Sequence, residues 1–348
     1  MTEIINCKTE YERAVKRAAE LIQAGEIVAF PTETVYGLGA DAMDPRAVAK
    51  IFQAKGRPSD NPLIVHISET GQAGILARDI PPLAKRLMEA FWPGPFTAVL
   101  DKQAAVPDCV TGGLDTVAVR MPSNMVARDI ILSSGRLIAA PSANLSGKPS
   151  PTAAEHVAED FWGRIPLIID GGPCAVGVES TVCDVRGDVP VILRPGGVTP
   201  GMIKKIAGDV RVHPAVLGEL KEEAAPSPGM KYKHYAPKAE IVVVCGQKLD
   251  IAKKINAMYY DKKKKCAIMC THENISFYRG KNVIDLGPGN TEGAKNLFAC
   301  LRRIDEMGLE KVFFHAVESD EMGLALMNRM IRAAGHNIWI AAKEVKVD

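Results

Sequence analysis

The sequence predicts a two-domain α/β protein with a mixed sheet in the first domain and a smaller open α/β sheet in the second. The chain has 348 residues, more than one ordinary hydrophobic core accommodates. Before residue 210, short apolar strands and amphipathic helices follow one another without strict alternation, which favours a mixed sheet with flanking helices. After residue 238 the alternation is simpler and is typical of a small open α/β domain.

Two helices of the first domain have recognisable ends. Thr9 and Glu12 predict a capping box for a first helix that ends at Gly25. Asp44 and Pro45 suit the N-cap and first position of a second helix, which Gly56 would end. The other elements predicted in this domain are strands at Ile27–Phe30, Leu63–Ile67, Phe96–Leu100, Val117–Met121, Leu137–Ala140, Leu167–Asp170, Thr181–Val185 and Val191–Leu193, and helices at Pro82–Phe91 and Ala153–Phe161.

Residues 211–238 are predicted to link a first domain at 1–210 to a second at 239–348. The link contains Pro226, Pro228 and Gly229, and it ends in SPGMKYKHYAP, which suits either an ordered strap or a lid over a site. The second domain is predicted to contain strands Ile241–Cys245, Cys266–Cys270, Val283–Leu286 and Val312–Ala316 and helices Asp250–Tyr259, Glu292–Met307 and Asp320–Ala334.

Composition favours a cytoplasmic protein. The net charge of +2 gives no strong global attraction to nucleic acid or membrane. The first twenty residues are charged throughout, unlike a signal peptide, and no apolar run reaches the ~18 residues of a membrane span. The eight cysteines are scattered without a CxxC pair, which predicts reduced thiols and no metal site.

Two cations flank a glycine turn where the second helix is predicted to end. Lys55 offers a point charge and Arg57 a planar fork, and both suit phosphate. The same pattern suits a solvated helix C-terminus equally well. Asn61 and His66 follow closely, and a lone strand histidine is more often packed than catalytic.

Arg120 lies on a predicted strand and shares a face with Thr116 and Ala118. Among apolar neighbours its guanidinium needs an anionic partner, because burying an unpaired charge is costly. That partner is either a structural Asp or Glu or a substrate carboxylate held by the guanidinium fork. The sequence leaves both alternatives open.

Hydroxyl and amide side chains follow other predicted strands. Ser142 lacks the G-x-S-x-G frame and an evident His–Asp pair, so we predict no nucleophilic catalysis. Ser142 and Asn144 suit hydrogen bonding to a nucleotide, and Ser180 and Arg194 repeat the arrangement of hydroxyl and cation at strand ends. Neither a Walker A sequence nor G-x-G-x-x-G occurs, which excludes the two commonest nucleotide signatures.

Several motifs together resemble those of the YrdC-type threonylcarbamoyl-AMP synthases. They are PTETVYGLGADA (31–42), KGRPSDNPLIVHI (55–67), PGPFTAVL (93–100), VAVRMP (117–122), APSANLSGKPSPT (140–152), ESTVCDV (179–185) and ILRPGGVT (192–199). SPGMKYKHYAPKAEI and the trailing α/β domain resemble the long, two-domain form of that family. The resemblance implies a YrdC-like first domain, whose twisted mixed sheet curves around a basic concave site, and a Rossmann-like second domain.

The resemblance also implies a reaction. L-threonine, bicarbonate or CO2, and ATP would give threonylcarbamoyl-AMP and pyrophosphate, which is a nucleotidyl transfer. The product would pass to downstream transfer proteins for t6A modification of tRNA, and a weak direct contact with tRNA stays open. Mg2+ is expected with ATP, and no organic cofactor is expected.

Site residues follow from the same motifs, position by position. Around threonine the resemblance implies Thr34, His66, Arg120, Ser180 and Ala140. Around ATP it implies Lys55, Arg57, Asn61, Thr116, Ser142, Asn144, Ser150, Arg194 and Tyr235. Lys55 and Arg57 would be catalytic, Arg120 would hold the threonine carboxylate, and Tyr235 would close over the nucleotide. Such a site orients two anions and stabilises charge without a covalent intermediate.

Two other functions compete with this one. A carbamoyl-transfer module of the hydrogenase-maturation type resembles the same domain, but it accompanies zinc-finger-like and acylphosphatase-like segments that this sequence lacks. A non-catalytic RNA-binding protein would need base-stacking aromatic residues among its cations, and the first domain has few.

Overall fold

The computed structural model describes residues 1–218, 235–260 and 265–341, and these form two compact units. Of the described residues, the first unit contains 1–146 and 150–216, and the second contains 147–149, 217–218, 235–260 and 265–341. Much of the predicted link, residues 219–234, lies outside the described residues. The domain boundaries drawn from the sequence therefore stay predictions.

The first unit is built on one large sheet. Its strands are β1 (Glu3–Asn6), β2 (Val28–Phe30), β3 (Gly37–Asp41), β4 (Ile64–His66), β5 (Phe96–Asp101), β6 (Thr116–Arg120), β7 (Ile138–Ala139), β8 (Leu167–Asp170), β9 (Thr181–Asp184), β10 (Val191–Arg194) and β11 (Arg211–Val212). Its α-helices are α1 (Tyr11–Gln23), α2 (Pro45–Lys55), α3 (Ala73–Leu76), α4 (Pro82–Phe91), α5 (Asp108–Thr111), α6 (Met125–Ser134), α7 (Ala154–Phe161) and α8 (Pro200–Ala207).

The strand order in this sheet is β1-β8-β2-β3-β7-β4-β6-β5-β9-β10-β11. The sheet contains parallel pairs such as β4 with β6 and antiparallel pairs such as β5 with β6. The predicted mixed sheet is therefore confirmed.

The helix ends show which local signals determine the structure. At α2, the Asp44 side chain accepts a hydrogen bond from the Arg46 N–H at 2.9 Å, and Gly56 takes the left-handed conformation at φ 61°. Both ends of α2 are as predicted. The predicted capping box of α1 is wrong, because Glu10 is the N-cap and makes no side-chain cap hydrogen bond. The Thr9 hydroxyl instead donates to the Asn6 carbonyl at 3.3 Å.

Strand β3 was not predicted, and its sequence GLGAD explains why. All five of its residues are buried, so they show no alternation of polar and apolar side chains. Gly39 lies directly beneath Phe30, where a Cβ would come within 2.5 Å of the Phe30 ring. A glycine that usually weakens a strand is required here by the close approach of that ring.

Both faces of the large sheet are covered in part by apolar side chains. One face packs against α2 and its neighbours through residues such as Val65, Val119 and Val48. The other face packs against α1 and α6 through residues such as Phe30 and Ile138. On this second face, farther along the sheet, β4, β6 and β5 carry the polar side chains described below.

The second unit has a smaller sheet that is parallel throughout. Its strands are β12 (Glu240–Gly246), β13 (Cys266–Cys270), β14 (Val283–Asp285), β15 (Lys311–His315) and β16 (Ile338–Ala341), and its α-helices are α9 (Lys248–Met258), α10 (Gly289–Glu306) and α11 (Glu321–Ala333). The strand order is β14-β13-β15-β12-β16, which confirms the predicted open α/β domain. Among the described helices, none is long and apolar enough to cross a membrane.

Candidate functional site

Lys55 connects the end of α2 to the loop that follows β7. Its Nζ donates to the Ser142 carbonyl at 2.5 Å and also to the Asn144 carbonyl. The side chain is only 3% exposed, so the alternative of a solvated helix end is wrong. Burial, and then the nearby charge of Arg57, hold the pKa of Lys55 well below its usual value. Lys55, Arg57, Asn61, Ser142 and Asn144 are called the Lys55 cluster below.

Asn61 is the least satisfied member of the Lys55 cluster. It is fully buried, and neither Oδ1 nor Nδ2 has a hydrogen-bond partner among the described residues. The adjacent Arg57 Nη2 donates to the backbone carbonyls of Asn61 at 3.3 Å and Pro62 at 3.1 Å. A buried amide without partners costs about 1–3 kcal/mol for each unmade hydrogen bond. Such a group suits a role toward a ligand.

Backbone hydrogen bonds hold the loop after β7 in place. The Ala140 N–H donates to the Ile64 carbonyl at 3.0 Å, and the Ala143 N–H donates to the Tyr36 carbonyl at 2.8 Å. The Ser142 hydroxyl donates to Asn144 Oδ1 at 2.5 Å. Because that partner is an amide oxygen and not a base, Ser142 is not activated as a nucleophile.

A row of paired residues crosses five neighbouring strands of the large sheet. In order, His66 is paired with Arg120, Arg120 with Thr97, Thr97 with Val182, and Val182 with Arg194. Residues paired across strands lie on the same face of a sheet. This face therefore carries two guanidinium groups, an imidazole and a hydroxyl, and the set is called the polar row below.

The partner of Arg120 is a carboxylate of the chain itself. Arg120 Nη2 lies 2.6 Å from Glu33 Oε1, and both side chains are buried. Nε donates to the Gly94 carbonyl at 3.3 Å, which leaves Nη1 without a hydrogen bond to any described residue. Glu33 Oε2 is buried and likewise without a partner among the described residues.

His66 is packed and neutral. Its Nδ1 lies 3.2 Å from the Ile64 carbonyl, and its ring meets the edge of the Phe30 ring at a centroid distance of 6.4 Å. Burial, and then the charge of Arg120, lower the pKa of His66 to about 3. The imidazole is therefore uncharged at neutral pH and can act only through neutral hydrogen bonds.

Ser180 lies at the other end of the polar row. Its hydroxyl is 2.8 Å from the Thr97 hydroxyl, and Arg194 Nη2 donates to the Ser180 carbonyl at 3.0 Å. The neighbouring Glu179 accepts a hydrogen bond from the Ser150 hydroxyl at 2.6 Å. These contacts fix the segment that leads into β9.

Three further predicted site residues lie in different places. Thr34 is fully buried, with its hydroxyl 2.9 Å from that of Thr32. Thr116 begins β6, about 13 Å along the strand from Arg120. The parallel register of β4 and β6 puts it on the side where Asn61 precedes β4. Tyr235 belongs to the second unit, where its ring lies 5.0 Å from that of Phe298, and its role as a lid stays a prediction.

Sequence reasoning missed Glu33, Thr97 and Glu179. Glu33 lies inside the motif PTETVYG, in which the sequence predicts a site role for Thr34 alone. The signal that could have found it was the requirement of Arg120 for an anionic partner. Cys174, a further buried group near Glu33, is no nucleophile, because burial raises the pKa of its thiol to about 12.

The fold and the geometry define an α/β protein with a buried polar site that is rich in cationic side chains. A family model described as "Telomere recombination" (Sua5, YciO and YrdC) matches residues 20–196. A second model, "Threonylcarbamoyl-AMP synthase, C-terminal domain", matches residues 198–335. The chain therefore belongs to the Sua5/YciO/YrdC family and carries the C-terminal domain of its threonylcarbamoyl-AMP synthases.

Individual relatives agree with this assignment. The threonylcarbamoyl-AMP synthase of Pyrococcus abyssi is 50% identical over 342 residues, which are 97% of this chain and 99% of that protein. The threonylcarbamoyl-AMP synthase of Bacillus subtilis is 46% identical over 327 residues, covering 93% and 94% of the two chains. The crystal structure of P. abyssi Sua5 complexed with L-threonine matches with a TM-score of 0.90 and 48% identity, over 97% of this chain and 99% of the other.

Proposed function

We propose that this protein is a threonylcarbamoyl-AMP synthase, which joins L-threonine, bicarbonate or CO2, and ATP and releases pyrophosphate. In class it is a nucleotidyltransferase, and its product serves t6A modification of tRNA through downstream transfer proteins. The observation that carries the proposal is the polar row together with the Lys55 cluster. They supply cations and neutral donors for two anionic substrates, while Ser142 and Cys174 are not activated nucleophiles.

Threonine is proposed to bind over the polar row. Glu33 and the Gly94 carbonyl hold Arg120 through Nη2 and Nε, so Nη1 is the nitrogen left to donate to a substrate carboxylate. Neutral His66 and the hydroxyl groups of Thr34 and Ser180 would donate and accept around the remaining polar atoms, beside the Ala140 backbone. Glu33 Oε2 is positioned to accept an N–H from the substrate.

ATP is proposed to bind at the Lys55 cluster. Lys55 and Arg57 supply positive charge, and the buried amide of Asn61 supplies a donor and an acceptor that have no partner among the described residues. Ser142 and Asn144 present side chains from a loop whose backbone is already fixed. Three further residues complete the proposed set, namely Thr116, Ser150 and Arg194.

The chemistry needs orientation more than reactive side chains. An oxygen of the threonine carbamate attacks the α-phosphorus of ATP, the bond to the β-phosphate oxygen breaks, and pyrophosphate leaves with the bonding electrons. The attacking group comes from the substrate, so the protein contributes alignment and charge stabilisation. Buried cations perform that role better than exposed ones, because the surroundings screen them less.

Magnesium is proposed to enter with ATP, held by phosphate oxygens and water. In the described part of the chain, no group of three or more His, Cys, Asp or Glu side chains could hold a metal ion. The described residues therefore do not fit a magnesium cage made by the protein. The cytoplasm is the proposed compartment, because the eight cysteines form no disulfide in the structure and such cysteines are typical of a reducing compartment.

The proposal predicts that Arg57→Ala abolishes threonine- and bicarbonate-dependent release of pyrophosphate from ATP. The reason is the loss of a cation next to the proposed nucleotide, which leaves the developing charge unstabilised. Circular dichroism and thermal unfolding check that the fold is retained. Lys50→Ala is the matched control, because Lys50 is a cation of helix α2, which ends just before Arg57, and it pairs with Glu26 at the surface. We expect this control to keep normal turnover.

Two outcomes would contradict the proposal. Normal turnover by Arg57→Ala would remove the role assigned to Arg57. Pyrophosphate release that requires carbamoyl phosphate and ignores threonine would instead assign the chain to carbamoyl transfer of the hydrogenase-maturation type. Binding of tRNA across a salt series by the wild-type protein tests the weak RNA contact separately.

A further inference from the structure

The second unit contains a pocket at the carboxyl ends of its central strands. Its volume is about 570 Å³, within the range of small-molecule sites. The lining comes from five places in the chain, represented by Lys248 at the start of α9, Asn274 after β13, Asn290 in α10, Glu318 after β15 and Met327 in α11. All the lining residues belong to the second unit, and the cavity is called the β12–β15 pocket below.

The strand order explains why a crevice forms at this place. From β12 the chain crosses through α9 to β13 in one direction, and from β15 it crosses through α11 to β16 in the opposite direction. Crossovers between parallel strands are right-handed, so α9 and α11 cover opposite faces of the sheet. The adjacent strands β12 and β15 therefore send their connections to opposite faces of the sheet, and a crevice between two such connections is where open α/β sheets bind ligands.

Asn274 is an independent sign that the pocket receives a ligand. The side chain is 6% exposed, and its Nδ2 donates to the Thr271 hydroxyl at 3.1 Å. Its Oδ1 is buried and has no hydrogen-bond partner among the described residues. An acceptor buried without a partner is unfavourable, so a ligand N–H or O–H donor in the pocket would satisfy it.

Lys248 makes one part of the pocket positive. It is the first residue of α9, whose N-cap Gln247 makes no side-chain cap hydrogen bond. The first N–H groups of this helix therefore remain available for an anion. Lys248 Nζ lies 5.6 Å from the centroid of the Phe277 ring, and no carboxylate in the described part of the chain forms an ion pair with it.

Carboxylates line other parts of the same pocket. Glu273 follows β13, and Glu318 and Asp320 belong to the connection from β15 to α11. Glu273 already accepts a hydrogen bond from the Gly289 N–H at 2.8 Å. Carboxylates accept hydrogen bonds and donate none when ionised, so they suit the hydroxyl or amino groups of a ligand and repel a bare anion.

We propose that the β12–β15 pocket binds a nucleoside monophosphate. The phosphate would lie at Lys248 and the N-terminus of α9, the ribose hydroxyls would donate to the carboxylates, and a base N–H would donate to Asn274 Oδ1. Inorganic phosphate alone offers no group for Asn274 and the carboxylates. An amino acid of the size of threonine would leave most of the 570 Å³ unfilled. None of the residues that line this pocket belongs to the set proposed for the synthase reaction.

Photolabelling of the full chain with 8-azido-AMP, followed by mass spectrometry of the peptides, tests this proposal. We expect labelled peptides from the second unit, with protection by excess AMP and no protection by threonine or inorganic phosphate. Lys248→Met should lower this labelling at least tenfold. Lys253→Met is the matched control, because Lys253 is exposed on the same helix and does not line the pocket, and it should label like the wild type.

Three results would overturn the proposal. The first is labelling of the first unit alone, and the second is equal labelling of the Lys248 and Lys253 variants. The third is equal protection by threonine, which would indicate an amino-acid site. Pyrophosphate release is measured on the same Lys248→Met sample. The proposed synthase function predicts that this variant turns over normally, whether or not it is labelled. A failure of the pocket proposal can therefore be distinguished from a failure of the proposed function.

Discussion

At the scale of single residues, Lys55 combines an ionisable amine with nearly complete burial. Its amine donates to two backbone carbonyls, and the residue is almost completely buried. Burial favours the neutral form of a lysine, and an anion nearby favours the charged form. The protonation of Lys55 is therefore expected to depend on whether the nucleotide is bound.

This dependence predicts a proton taken up from the buffer when ATP binds. The pKa of Lys55 is lowered in the free protein, and the phosphates would raise it, so binding at pH 8 should bring a proton to the amine. Titration calorimetry in two buffers of different ionisation enthalpy measures the uptake. Lys55→Met should abolish it, whereas Lys50→Met on the same helix should not. No uptake by the wild type would mean that Lys55 is already charged before ATP arrives.

At the scale of elements, the turn after β10 packs closely against the segment that leads into β9. A Cβ on Gly196 would lie 2.3 Å from the Glu179 carbonyl oxygen and 2.4 Å from the Thr181 nitrogen. Only glycine fits at such a distance from backbone atoms. The turn thereby holds the backbone around Ser180, whose carbonyl and hydroxyl also bind Arg194.

We therefore predict that Gly196→Ala displaces Ser180 and weakens both the site and the fold. Overpacking of this kind costs about 1–3 kcal/mol, which a urea unfolding curve measures, and the KM for threonine should rise. Gly187→Ala is the matched control, because its Cβ would meet no heavy atom within 4 Å. Equal behaviour of the two variants would show that the turn does not position Ser180.

The elements also show how far the sequence alone reaches. Asp44, Pro45 and Gly56 defined α2 because capping and left-handed turns are local effects. Strand β3 could not be predicted, because its Gly39 is required by the Phe30 ring that packs against it. This contact joins two different elements and leaves no local signal in the sequence. The carboxylate partner of Arg120 is 87 residues away in the chain. The need for such a partner could be predicted from the sequence, but its identity as Glu33 required the tertiary structure.

At the scale of the whole molecule, each unit contains one buried, neutral histidine among its described residues. Burial is the first cause in both, and it lowers the pKa of His66 to about 3 and that of His315 to about 4. His315 Nδ1 lies 2.6 Å from the Tyr278 hydroxyl in the second unit. The stability of both units is therefore expected to depend on pH in the acid range.

Stability is predicted to fall as the pH drops below about 6.5. Between pH 6.5 and the lowered pKa values, the two histidines bind protons in the unfolded chain but not in the folded chain. The free energy of unfolding therefore decreases as the pH falls through this range. At pH 5 each histidine should cost about 2 kcal/mol, measured as a lower urea midpoint than at pH 7. His66→Gln and His315→Gln should each flatten the pH dependence.

His272 provides the control for this prediction. It is exposed, and its hydrogen bond to Asp285 raises its pKa, so its contribution has the opposite sign. That contribution is present below the unfolded pKa and is lost as the pH rises through the folded one. His272→Gln should therefore steepen the acid dependence, and a flattening by all three variants would contradict the assignment.

The position of β1 in the sheet has a consequence for folding during synthesis on the ribosome. Strand β1 forms the edge of the large sheet beside β8, and the Asn6 side chain bonds Asp170, 164 positions later. At a synthesis rate of about 5–20 residues per second, β8 follows β1 after roughly 8–33 seconds. During that interval β8, the strand that pairs with β1, has not yet been synthesised, so the backbone groups of β1 that face β8 remain unpaired.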